Sequence, residues 1–158
     1  MLPVTIYYLP FTIYYPPDNS LSPTRDLPIP PPIVILGCTA SGKSALAEAL
    51  APRLPHAVIL AADAMQVYRG MDIGTAKPDR ATRARIPHEL IDIADPWETF
   101  SAARFAAAGR AALARLAAAG AQPIIVAGTR LYLRALIDGL FEGPGADDAI
   151  RRELAERA

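Results

Sequence analysis

Residues 33–44 read Ile33-Val34-Ile35-Leu36-Gly37-Cys38-Thr39-Ala40-Ser41-Gly42-Lys43-Ser44, and the fold follows from them. The first four are a continuous apolar, mostly β-branched run, as expected of a strand buried on both faces. The next eight satisfy G-x-x-x-x-G-K-S/T. Gly37 and Gly42 let the backbone turn tightly, so that successive N–H groups of the loop Gly37, Cys38, Thr39, Ala40, Ser41, Gly42, Lys43 and Ser44 can point inward at phosphate oxygens. The helix expected after the loop adds its N-terminal partial charge at the same place. Lys43 supplies a point charge for the outer phosphate, and the Ser44 hydroxyl can ligate Mg²⁺. The motif identifies a bound diphosphate or triphosphate, ATP included, and not a reaction.

Outward from the loop, strands and helices alternate. A helix is expected from Ser44 to near Pro52. A second strand is expected at 57–60 and a short third one at Leu90-Ile91-Asp92-Ile93. Ser101 reads as the N-cap of an alanine-rich helix that ends at Gly120. Gly109 inside that helix should cost roughly 1 kcal/mol relative to alanine. A strand at 123–126, a helix at 131–137 and the start of another in DDAIRRELAERA complete the pattern. Such alternation implies α/β architecture, a doubly wound parallel sheet of P-loop NTPase-like type. Asp63 and Thr129 then both fall just beyond strands, at the carboxyl edge where ligands bind. Asp63 equally suits an Asx turn, and Thr129 equally suits an N-cap. His88 has no Cys or acidic cluster at metal spacing, so a structural role is expected. Arg80, Arg83 and Arg85 read as a solvated loop, and Trp97 as packed against the domain.

The chain has 158 residues, enough for one domain with a core, and is 52% hydrophobic. Its 16 basic and 16 acidic residues cancel. Neutrality argues mildly against nucleic acid unless the basic surface lies in sequence beyond this chain. The single Cys38 excludes an internal disulfide and fits a reducing compartment. No apolar run is long enough to span a bilayer, so no membrane association and a cytoplasmic location are expected. Residues 1–32, with Pro3, Pro10, Pro16 and Pro17 and the echo TIYYLP/TIYYPP, are read as a disordered leader barred from any central strand.

Four strings, GCTASGKSALAEALA, DAMQVYRGMDIGTAKP, PHELIDIADPWETFSAARF and IIVAGTRLYLRALIDGL, occur in the order and spacing of tRNA dimethylallyltransferases. MQVYRGMDIGTAKP is the most distinctive, since generic P-loop kinases have nothing like it. The resemblance runs from about Ile33 to the end. It implies transfer of a dimethylallyl group from dimethylallyl diphosphate to the exocyclic amine of the adenosine beside the anticodon of tRNA, by a monomer. By the same resemblance, Asp63 matches a catalytic aspartate and Thr129 a threonine on the leaving diphosphate, with Lys43 in the phosphate loop. Asp63, Ala64, Met65, Gln66, Thr129 and Arg151 match tRNA-contact positions, and Mg²⁺ is the implied cofactor.

Cys38 departs from the family's usual loop proline, Ala64 from a common serine, and Ala127 and Arg130 from glycines around Thr129. The resemblance further implies a catalytic core at 33–140 and a helical tRNA-binding insert from 141 onward. The family's later strands, basic helices and a further diphosphate-binding arginine would lie beyond Ala158. Three other readings stay open: a small-molecule or nucleotide kinase, an adenylate-using member of the same family, and a phosphate-binding fragment without activity of its own.

Overall fold

The computed structural model describes residues 5–8, 31–140 and 147–157. From edge to edge its sheet runs β1 (Thr5–Tyr8), β2 (Ile33–Leu36), β5 (Pro123–Ala127), β3 (Val58–Ala62), β4 (His88–Glu89). β2, β5, β3 and β4 are parallel, whereas β1 pairs antiparallel to β2 at the edge. The register sets Val34 against Ile125 and Ile125 against Leu60. Helices α1 (Lys43–Leu50), α2 (Arg80–Arg85), α3 (Ala102–Ala118), α4 (Arg130–Ile137) and α5 (Asp148–Glu156) follow in chain order.

Side chains alternate across the central strands and build a core on each face. On one face Val34, Leu60 and Ile125 meet Phe105 and Leu113 of α3 and Leu133 and Leu136 of α4. The Phe105 and Tyr132 rings stack there with centroids 4.4 Å apart. On the other face Ile35, Ile59, Ile124 and Val126 meet Ala47 of α1 and Ala51 just after it. Helices on both faces of a parallel sheet, and a chain order in which β5 inserts between β2 and β3, make the fold doubly wound as expected.

Several local expectations need correction. Thr5–Tyr8, a β-branched and aromatic tetrapeptide between Pro3 and Pro10, forms an edge strand within the stretch read as a disordered leader; the rest of 1–30 lies outside the described residues. The strand expected at 90–93 is instead His88–Glu89. Leu90 (φ 67°) and Asp92 (φ 56°) are left-handed, a conformation no strand can hold. The Arg80 to Arg85 stretch is a helix, not a loop, because Asp79 caps it by accepting from the Thr82 N–H at 2.7 Å. Trp97 is 83% exposed rather than packed. It sits in a turn closed by the Glu98 N–H on the Asp95 carbonyl at 2.9 Å. Among the described residues no helix is long and apolar enough to cross a membrane.

Gly109 has a packing reason. A Cβ there would lie 2.8 Å from Leu136 Cδ1, so the missing side chain is what lets α4 approach α3. Leu136 is 3% exposed and has little room to yield. Gly109→Ala gains about 1 kcal/mol of helix propensity but overpacks this contact at about 1–3 kcal/mol. A net loss of about 1 kcal/mol in chemical denaturation is the expected result.

Candidate phosphate-loop site

α1 begins directly from the glycine loop. Its N-cap, Gly42, has φ 89°, left-handed geometry that a residue with a Cβ resists, and Ala40 two residues earlier is also left-handed at φ 61°. Left-handed residues on either side of Ser41 are a backbone pattern found in anion nests. Within the loop the Ser41 N–H donates to the Cys38 carbonyl at 3.2 Å. The Ser41 hydroxyl is buried with no hydrogen-bond partner among the described residues, and a Cβ on Gly37 would stand 2.8 Å from it. Lys43 is 9% exposed and its Nζ donates to the Cys38 carbonyl at 2.5 Å, which folds the ammonium back over the loop.

A cavity of about 480 Å³ opens beside this loop. Thr39, Ala40, Gly42, Lys43 and Ser44 of the glycine loop line it, together with Asp63, Met65 and Gln66 after β3. Gly74, Thr75, Ala76 and Pro78 supply a further stretch of its wall. Gly37, Cys38, Ser41, Ala64 and Thr129 are not lining residues, although all but Gly37 adjoin one in the chain. Arg151 lies exposed on α5 and does not line the cavity either.

Asp63 follows the last residue of β3. Its Oδ1 accepts from the Met65 N–H at 2.8 Å and the Gln66 N–H at 3.3 Å, so the Asx turn is real. The same geometry leaves the second oxygen for other work: Oδ2 faces Gly128, where a Cβ would lie only 3.3 Å away. The structural and functional readings of Asp63 are therefore compatible. Thr129 is the N-cap of α4 by position, yet its hydroxyl makes no capping bond. Its backbone N–H reaches the Ala62 carbonyl at 3.4 Å, which ties the end of β5 to the end of β3.

His88 and Glu48 also line the cavity. Burial holds His88 below its ordinary pKa of 6.5. The Ile86 carbonyl 2.7 Å from Nδ1 can only accept, so the neutral ring carries its proton on Nδ1 and braces the turn before β4.

Sequence reasoning missed the wall. Gln66, 9% exposed, donates from Nε2 to the Thr75 carbonyl at 3.1 Å and the Ala76 carbonyl at 3.2 Å. Lys77 is buried beneath it among carboxylates. A lysine ahead of a proline carries no sign of burial, and only the long-range pairing of 66–69 with 92–94 creates the buried place.

A buried strand, a glycine-rich loop of G-x-x-x-x-G-K-S sequence and a helix at the carboxyl edge of a parallel sheet define a P-loop α/β protein. The family model described as IPP transferase matches residues 66–158, and the chain belongs to that family. It is 52% identical over 132 residues to the tRNA dimethylallyltransferase of Thiobacillus denitrificans, covering 84% of this chain and 42% of that protein. It is 55% identical over 126 residues to the one of an Anaeromyxobacter species, covering 80% of this chain and 42% of that protein. The chain thus spans about two fifths of the length of the curated relatives it matches.

Among solved structures, the full-length tRNA isopentenylpyrophosphate transferase of Bacillus halodurans matches with 42% identity and a TM-score of 0.63. That match covers 78% of this chain and 40% of the other. A eukaryotic dimethylallyltransferase acting on tRNA matches with 33% identity and a TM-score of 0.64, over 69% of this chain and 27% of its own.

Proposed function

We propose that this chain carries the diphosphate-binding and proton-accepting part of a tRNA dimethylallyltransferase site. In that reaction the allylic carbon–oxygen bond of dimethylallyl diphosphate breaks while a carbon–nitrogen bond forms to the exocyclic amine of the adenosine beside the anticodon. The amine gives up one proton, and inorganic diphosphate leaves. The observation that carries the reading is one cavity lined by both Lys43 of the glycine loop and Asp63 after β3.

Each residue has a distinct task. Negative charge builds on the departing diphosphate, and Lys43 with the loop N–H groups is preorganised to stabilise it. Ser44 lines the cavity beside Lys43. A single hydroxyl suits Mg²⁺, which takes its remaining oxygens from substrate phosphates and water. When bound, that ion neutralises diphosphate charge. The Thr129 hydroxyl, which makes no capping bond on α4, is assigned to the leaving group at the margin of the cavity, next to lining residue Gly128. An amine conjugated to a purine is a poor nucleophile, so Asp63 Oδ2 orients it and accepts its proton. Met65 and Gln66 then border the entering base, which must leave its stack to reach the cavity. Arg151, exposed on α5, is assigned to RNA contact outside the cavity.

Incubating the purified chain with dimethylallyl diphosphate, Mg²⁺ and an anticodon stem-loop RNA tests the proposal by mass spectrometry. The expected product is RNA heavier by one dimethylallyl group. Transfer of a γ-phosphate from ATP to a small acceptor, with no prenylated RNA, would favour a kinase instead.

A further inference from the structure

Residues 66–78 leave the end of β3, pair through 66–69 with 92–94, and return as a loop whose members Gly74, Thr75, Ala76 and Pro78 form one wall of the cavity. That wall is held from behind by a single ammonium. Lys77 Nζ, on a side chain 1% exposed, donates to the Tyr68 carbonyl at 2.8 Å, Asp72 Oδ1 at 2.7 Å and Asp92 Oδ1 at 2.8 Å. Three donors meet three acceptors. Asp92 Oδ2 takes a further bond from Arg83 at 2.6 Å, which anchors α2 to the same cluster. Burial lowers the Lys77 pKa, but bonds and charge from Asp72 and Asp92 outweigh it and raise the pKa above 10.5, so the group stays charged.

The backbone around this cluster is unfavourable by itself. Ala76 (φ 51°) and Asp92 (φ 56°) are both left-handed without being glycine, and each such residue costs on the order of 1 kcal/mol. Such geometry persists only where the surroundings over-determine it. The Gln66 amide on the Ala76 carbonyl and the Lys77 ammonium on Asp92 supply that constraint. Since Lys77 faces away from the cavity, Lys43 is the only Lys or Arg among the described lining residues. Phosphate groups therefore belong at the loop end. The wall, with Ala76 and Pro78 and uncharged peptide groups, suits an uncharged planar heterocycle.

We propose that Lys77, clamped between Asp72 and Asp92, is a positioning residue that fixes the 70–77 loop as the acceptor-side wall of the cavity. This rests on the acceptor reading given under Proposed function. Lys77 touches neither substrate; it acts through the backbone carbonyl of Tyr68 and the carboxylates of Asp72 and Asp92.

The experiment uses the whole chain with Lys77→Met, which keeps the stem and removes the charge, and Lys77→Arg, which restores charge. Asp72→Asn, at a side chain 64% exposed, removes one negative charge from the cluster while its amide oxygen can still accept, and serves if the methionine variant does not fold. Hydrogen exchange across 66–78, affinity for inorganic diphosphate with Mg²⁺, and affinity for an anticodon stem-loop RNA are measured on each. Exchange in 72–76 should rise about tenfold in Lys77→Met, with diphosphate affinity within about twofold and RNA affinity down about tenfold. Asp72→Asn should lose about threefold in RNA affinity, and Lys77→Arg should recover most of the methionine variant's loss. Unchanged exchange in both Lys77→Met and Asp72→Asn would overturn the positioning role. A loosened wall with unchanged RNA affinity would overturn its assignment to the acceptor. An unsubstituted chain that binds diphosphate but no RNA would overturn the acceptor reading beneath it.

Discussion

Lys43→Ala is expected to weaken binding of dimethylallyl diphosphate by about a hundredfold, with the fold retained. A hydrogen bond to a charged group contributes about 1.5–3 kcal/mol, and loss of two such bonds to phosphate oxygens gives at least that factor. No other Lys or Arg among the described lining residues can substitute. The fold should survive because the partner of Lys43 is the carbonyl of exposed Cys38, which water can satisfy once the ammonium is gone. Titration calorimetry gives the affinity change, and thermal unfolding of the same sample reports the fold.

Asp63→Asn is the second large effect, and it separates the two oxygens of this residue. The asparagine carbonyl can keep accepting from the Met65 and Gln66 N–H groups, now made to Oδ1 at 2.8 and 3.3 Å, so the turn after β3 stays closed. The amide that replaces Oδ2 cannot take a proton. Transfer to RNA should fall by about a hundred- to ten-thousand-fold, the usual span for losing a general base. Diphosphate affinity should stay within about twofold, since no charge–charge contact with phosphate is removed. Asp63→Ala should lose transfer to a similar extent and about 1 kcal/mol of stability besides, because two N–H groups lose their acceptor. Single-turnover assays beside the calorimetric titration distinguish the two roles.

The parts of this molecule that were legible in sequence are those whose cause is local. The β-branched run 33–36, the Gly42 turn, the Ser101 cap and the helix stop at Gly120 follow from residue-level preference, and all are present. The parallel sheet was legible because alternating strands and helices leave few topologies. Positions set by partners distant in sequence were not. An apolar stretch at 90–93 looks like a strand until the left-handed Leu90 and Asp92 are seen. Trp97 reads as core on hydrophobicity alone, yet a four-residue turn leaves it exposed. In the candidate site, Lys43 and Asp63 were readable because motif spacing and strand ends place them at one sheet edge. The Lys77 cluster was not, because its acceptors come from Tyr68, Asp72 and Asp92, which only the folded loop gathers.

In the proposed reaction the glycine loop of this chain holds an allylic diphosphate rather than a nucleoside triphosphate. The direct measurement is calorimetric titration of the purified chain, in the presence of Mg²⁺, with dimethylallyl diphosphate and separately with ATP. Saturable binding of dimethylallyl diphosphate, at least about tenfold tighter than ATP and weakened about a hundredfold by Lys43→Ala, is the predicted result. Tight binding of ATP with none of dimethylallyl diphosphate would contradict it.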